Sequence, residues 1–248
     1  MLKAEGLGVR YGRLIALSDV DLIARPGEIL AVIGANGSGK SSLLKALAGF
    51  VPSSGSITLE ALTGTAPHIG YMPQDIGVRA ALSVVETVLL GRLKQLHYRV
   101  GEADLAAAGS ALERLGIAHL ATRPLGALSG GQRQLVFLAQ VMASDPQFLF
   151  LDEPVSALDI RNQLQVMETV RSLTREHGLT TLTILHDLNL AARFADRIAV
   201  LKEGRLLACA APREALSQKT LEQAFSIEAA LGEGVEGHML IEALRPVG

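Results

Sequence analysis

Apolar and polar residues alternate loosely over residues 3–23, with Gly12 at a turn, and this period of two predicts a pair of antiparallel strands. The pattern then changes. EILAVIG, ending at Gly34, predicts a buried strand that runs into a Gly-dense loop; KSSLLKALAG then places Leu43, Leu44 and Leu47 on one helical face before Gly49 stops it. Further strands are predicted at 56–59, 68–72, 148–151, 180–185 and 197–201, the third of them continuously apolar, as a parallel strand covered on both faces must be. Between residues 81 and 143 the chain reads as almost wholly helical, through VVETVLLGRL, ADLAAAGSALERLG and GQRQLVFLAQVMA. A helical lobe inserted into a parallel-sheet domain accounts for this order. In the tail, the glycines of LGEGVEGHMLIEAL punctuate apolar residues and predict a terminal hairpin.

With 248 residues, one large α/β domain suffices to bury a sizeable core. Lys and Arg number 23 against 25 Asp and Glu, without blocks of one sign, which argues against a nucleic-acid partner held by a basic face. No apolar run approaches the roughly 20 residues of a membrane span. The beginning of the chain, MLKAEGLGVRYG, has no apolar signal stretch, so the protein is expected to be soluble and to stay in the cytoplasm. The single Cys209 fits that reducing compartment.

Three motifs carry chemistry. GANGSGKS at residues 34–41 fits G-x-x-x-x-G-K-[ST] between a predicted strand and a predicted helix. Its glycines let backbone N–H groups close around phosphates, Lys40 reaches the outer phosphates, and Ser41 offers a hydroxyl to Mg²⁺. The context disfavours a mere Gly-rich turn, yet the loop alone does not separate a kinase, a GTPase or a transport motor. FLFLDEP at 148–154 delivers two carboxylates at the end of a buried strand: Asp152 is read as the metal-side residue and Glu153 as the general base toward water. LSGGQRQ at 128–134 has the Ser129 to Gln132 spacing of a capping box, but two glycines in a first helical turn cost stability and leave N–H groups open to an anion.

With LSGGQ unaltered at 128–132, the chain resembles an ABC ATPase, and the other elements of that family stand in the family's order: Tyr11, Gln74 in YMPQD, SALD at 156–159 and His186 in ILHDLN. The resemblance spans nearly the whole chain. It implies an α/β P-loop NTPase (RecA-like) core with an N-terminal antiparallel β subdomain and an inserted helical subdomain. Residues 1–76 and 148–227 would form the core and its β part, 77–147 the helical subdomain, and 228–248 a C-terminal tail. By the same resemblance Tyr11 stacks on adenine, while Gly34, Ala35, Asn36, Gly37, Ser38, Gly39, Lys40, Ser41 and Ser42 cradle the phosphates of ATP. Gln74 touches Mg²⁺ and the attacking water, and His186 contacts the γ-phosphate, so Glu153, His186 and Gln74 form the catalytic set and Ser41, Gln74 and Asp152 the metal set. Ser129, Gly130, Gly131 and Gln132 would meet the nucleotide of a partner, which makes the working unit a homodimer. Val155 and Ser42 depart from the family's commonest residues, and neither belongs to the catalytic or the metal set. The other five histidines share no metal-site spacing and are read as structural or exposed.

The resemblance further implies two transmembrane permease subunits, docked near the helical lobe and the loop after Gln74, on the cytoplasmic face of the inner membrane, with a substrate-binding protein engaged indirectly. HDLNLAARFADRIAVLKEGRLLACAAPREAL is similar to ATPases of importers for iron–siderophore complexes, haem and cobalamin, in which a helix follows HDLN, KEGR is a turn and a Pro-initiated helix comes after it, and ferric siderophore is the leading cargo. The alternatives are an ABC ATPase of another importer or exporter, a non-transport ABC ATPase acting on nucleic acid, and a P-loop kinase. The last would lack LSGGQ; the nucleic-acid motors usually carry two cassettes or a coiled-coil insertion, and neither is present.

Overall fold

The structure is a computed structural model that describes residues 1–61, 66–74, 82–93 and 100–247. Strands β1 (Leu2–Tyr11) and β2 (Leu14–Ala24) pair through the two-residue turn at Gly12 and Arg13, with Tyr11 opposite Leu14. Their loose alternation has a cause. Leu2 and Ala4 face inward, but so do Leu7 and Val9, so the phase slips by one residue where Gly6 takes a positive φ of 58°. On β2 the slip between Leu17 and Val20 coincides with Asp19 at φ 57°. These bulges keep the apolar set on the core side of a strongly twisted ribbon.

β3 (Ile29–Ile33) follows, buried at every residue, and then α1 (Lys40–Leu47). β4 (Ser54–Leu59) joins β1 on its other side, giving the antiparallel sheet β2-β1-β4. After β5 (Ile69–Met72) come α2 (Val84–Leu89), α3 (Glu102–Arg114) and α4 (Gly130–Met142), which pack on one another. The stretch expected to be helical almost throughout is not. Short 3₁₀ turns at Leu90–Arg92, Ala118–Leu120 and Leu125–Ala127 interrupt it; Gly116 has a left-handed φ of 69°, and Pro124 brings residues in an extended conformation. The chain then runs through β6 (Phe148–Asp152), α5 (Ile160–Glu176), β7 (Thr180–Ile184), α6 (Leu188–Phe194) and β8 (Arg197–Lys202). It ends in β9 (Arg205–Ala210), α7 (Pro212–Ala215), α8 (Gln218–Phe225) and the hairpin β10 (Ile227–Glu233) and β11 (Met239–Pro246).

The core sheet has the order β5-β6-β7-β3-β8-β9, parallel except for the edge strand β9. Alternate residues of β3 feed two apolar layers. Leu30 and Val32 pack with Leu43, Leu44 and Leu47 of α1 and with the antiparallel sheet, while Ile29, Ala31 and Ile33 pack on the side of the other helices and the terminal hairpin. The chain therefore has an α/β fold with a mixed core sheet, an antiparallel β part and helices. β9, α5 and α8 were not among the elements predicted above: β9 follows the tight turn at Gly204 and carries polar-flanked half-buried residues, a weak period-two signal. The expected permease-docking loop after Gln74 and His97 lie outside the described residues. No helix among the described residues is long and apolar enough to cross a membrane.

Candidate functional site

The phosphate loop joins β3 to α1 and is shaped by what surrounds it. A Cβ on Gly34 would stand 2.3 Å from the Leu201 carbonyl oxygen, and one on Gly39 would stand 2.5 Å from that of Ala16. Gly39 also takes a φ of 103° and precedes α1 without any side-chain cap, so no side chain competes for the first-turn N–H groups. Lys40 is buried, and its ammonium donates to the carbonyls of Gly34 (2.9 Å) and Ala35 (3.0 Å). Burial pushes its pKa down, opposed by the charges of Glu153 and Asp152.

β6 ends on Asp152, only 3% exposed, whose two oxygens each accept a hydroxyl: Ser41 Oγ to Oδ1 at 3.1 Å and Tyr71 Oη to Oδ2 at 3.2 Å. Burial raises the Asp152 pKa; these two hydrogen bonds pull it back, and the Glu153 charge adds to the rise. Burial, followed by the Asp152 charge and hydrogen bond, lifts the Tyr71 phenol far above its ordinary range, so it stays a donor. Directly after β6 the chain turns: Glu153 has a φ of 54°, which carries its carboxylate away from Asp152. There Gln74 Nε2 donates to Glu153 Oε2 at 2.7 Å, and His186 Nε2 lies 2.5 Å from Oε1. His186 sits between β7 and α6, the latter capped by Asp187 through the N–H groups of Asn189 and Leu190.

These elements enclose an open cleft of about 700 Å³. Tyr11, Leu14 and Ile15 form one wall, Asn36, Gly37, Gly39, Lys40, Ser41 and Ser42 the floor, and Gln74, Glu153 and His186 the far side. Leu14 and Ile15, exposed apolar residues opposite Tyr11 and Arg10, extend the aromatic wall and were not singled out from the sequence. Their signal was the two-residue turn, which sets Leu14 across from Tyr11. Gly34, Ala35 and Ser38 do not line the cleft; Ser38 Oγ is buried toward Gly34 without a hydrogen-bond partner among the described residues.

The second expected anion site is not brought to this cleft. Ser129 caps α4 in a capping box, its Oγ accepting from Gln132 N (3.3 Å) while Gln132 Oε1 accepts from Ser129 N (3.1 Å). Gly131 has a packing reason of its own, because a Cβ there would stand 2.4 Å from the Asn162 side chain on α5. Gly130 faces Leu158 in the same way, at 3.3 Å. None of Ser129, Gly130, Gly131 and Gln132 borders the cleft.

The family model for ABC transporters matches residues 17–156, more than half of the chain. The hemin import ATP-binding protein HmuV of Gloeobacter violaceus is 41% identical over 243 residues, 92% of this chain and 88% of that protein. The chain belongs to the ABC transporter family. This cassette binds ATP and is an ATPase, as are the ATP-binding subunits of that family. It is also 35% identical to the cobalamin import ATP-binding protein BtuD of Halobacterium salinarum, over 93% of the cassette and 60% of that longer protein. Among solved structures, an ABC transporter described as metal-chelate type, in an inward-facing conformation, superposes with a TM-score of 0.88 at 30% identity, covering 98% of the cassette and 97% of that chain. The Ser41 hydroxyl and the buried Asp152 carboxylate beside it are hard oxygen ligands of the kind Mg²⁺ selects, and the amide oxygen of Gln74, on the same cleft, is another.

Proposed function

We propose that this cassette is the motor subunit of an importer that takes up haem or a related metal chelate. The observation that carries the catalytic part is the convergence of Gln74 and His186 on Glu153 along the far side of the phosphate-loop cleft. ATP would lie with its base against Tyr11, Leu14 and Ile15 and its phosphates on the floor formed by Asn36, Gly37, Gly39, Lys40, Ser41 and Ser42. Lys40 would exchange its loop carbonyls for the outer phosphates. Ser41, Asp152 and Gln74 would hold Mg²⁺, which supplies charge neutralisation on the phosphate oxygens. Glu153 takes a proton from water as the water oxygen bonds to the γ-phosphorus; the bond to the β,γ-bridging oxygen breaks, and ADP and phosphate leave. His186, within reach of Glu153, would contact the γ-phosphate.

A homodimer completes this reading. Ser129 to Gln132 lies away from the cleft of its own chain, and Ile160 at the start of α5 is a large apolar residue left exposed outside that cleft, which favours cover by a second copy. Two permease subunits would take the closing motion, holding the cassette peripherally on the cytoplasmic side, with a substrate-binding protein engaged through them. As for cargo, the expected ferric siderophore is one metal chelate among several; the similarity to a protein named for hemin import moves haem ahead of it, with cobalamin behind. The longest described helix, α5, has 17 residues, so no coiled-coil insertion among the described residues favours a nucleic-acid motor.

Uptake of radiolabelled haem, a ferric siderophore and cobalamin into a deletion strain tests the cargo. Haem uptake is expected to fall and to return with the wild-type gene but not with Lys40→Ala. Unchanged uptake of all three would remove the importer reading, and loss of one of the other two alone would replace haem by that cargo.

A further inference from the structure

Tyr71 is not part of the catalytic or metal sets above, yet it holds the second oxygen of Asp152. It lies on β5 in parallel register with Phe150 of β6, two strand positions before Asp152, and β5 runs on to Gln74. Its ring is fixed by Phe50, edge-on at 85° with centroids 4.9 Å apart, and Phe50 follows α1, the helix that carries Ser41. The carboxylate is thus gripped from both sides, by a hydroxyl from α1 on one oxygen and a hydroxyl from β5 on the other.

Carboxylate torsions are broad, so a single donor leaves an aspartate free to swing. A second donor on the opposite oxygen removes that freedom. The chemical nature of this donor matters as well: a cation there would neutralise the carboxylate, whereas a phenol satisfies the buried oxygen and leaves the negative charge in place for a metal. We propose that Tyr71 is a positioning residue that fixes the orientation of Asp152 toward Mg²⁺ and ties the strand leading to Gln74 to the metal carboxylate. This rests on the reading of Asp152 as the metal-side residue.

Tyr71→Phe in the full chain keeps the ring against Phe50 and removes only the hydroxyl. Binding of a fluorescent ATP analogue is measured in EDTA and over a Mg²⁺ titration, with Phe50→Leu and Asp152→Asn alongside, and a urea midpoint taken for each variant. Metal-free nucleotide affinity should stay at the parental value in Tyr71→Phe, while the Mg²⁺ concentration for half-maximal effect rises about tenfold, the usual cost of losing a group that orients a metal ligand. The EPR spectrum of Mn²⁺ bound with ATP should change in Tyr71→Phe and not in Phe50→Leu. If Asp152→Asn raises the Mg²⁺ requirement and Tyr71→Phe does not, the positioning role is wrong and the metal reading stands. If Asp152→Asn also leaves it unchanged, the metal reading itself fails. Equal effects of Tyr71→Phe and Phe50→Leu would reduce Tyr71 to packing and overturn the inference.

Discussion

Glu153 holds a left-handed backbone at φ 54°, a conformation that costs a residue with a Cβ on the order of 1 kcal/mol or more. Asp152 before it remains in the strand, so two adjacent carboxylates serve two different surroundings: one is buried between hydroxyls, the other meets Gln74 and His186 in the open cleft. Replacement by Gln keeps the length and planar shape of the side chain, turns one of its two acceptor oxygens into a donor, and removes its basicity. Glu153→Gln should therefore bind ATP as tightly as the parent while turnover falls by about 100-fold or more, the range assigned to a lost general base. Steady-state hydrolysis with nucleotide binding as control measures this, and hydrolysis at the parental rate would sink the base assignment. The local part of this arrangement could be read from FLFLDEP, since an apolar strand delivers its next two residues to the sheet edge. What Glu153 meets there could not, because Gln74 is 79 positions away and reaches it only after β5 and β6 pair.

Among the elements, the turn between β8 and β9 organises the phosphate loop from behind. Gly204 N donates to Ser38 O at 3.0 Å, and Gly204 O accepts from Ser18 N at 2.8 Å, so one residue joins the loop to β2. A Cβ at Gly204 would stand 2.7 Å from the Ala16 carbonyl oxygen, and its φ is 77°. The sequence offered KEGR only as a turn. Its partners emerge from the placement of the antiparallel sheet against the core. Gly204→Val should destabilise the fold by about 1–3 kcal/mol, the scale of a forced backbone shift at a strained position, and should weaken ATP binding although it touches no phosphate. Urea denaturation and nucleotide titration on the same preparation check both effects; a folded variant with parental affinity would mean that the turn does not set the loop.

For the whole molecule, the question is which chain completes which site. The α4 start is capped by its own Ser129 and Gln132, packs through Gly130 and Gly131 on Leu158 and Asn162, and stays off the cleft that holds Lys40. A trans arrangement follows if those residues act on nucleotide at all. In mixtures of Lys40→Ala and Ser129→Arg chains, a mixed dimer would then carry one doubly broken site and one intact site. The mixture should recover hydrolysis or ATP-driven dimerisation that neither variant shows alone, once chain exchange is confirmed. No recovery of either would count against the two-chain site.

The sequence by itself determined the local units: the strand, loop and helix around GANGSGKS, the carboxylate pair after FLFL, and the capping box in LSGGQ. Each is set within a few residues by backbone freedom, periodicity or a side chain reaching its own helix start. Together the motifs also carried the family. Only the tertiary structure decided that Gln74 and His186 share Glu153, that Tyr71 reaches Asp152, that β9 closes the sheet antiparallel, and that the bulges at Gly6 and Asp19 re-phase the first two strands. Strand order and register arise from burying two faces at once against distant segments, and a five-residue strand that is apolar throughout, such as β3 or β6, states neither its neighbour nor its direction.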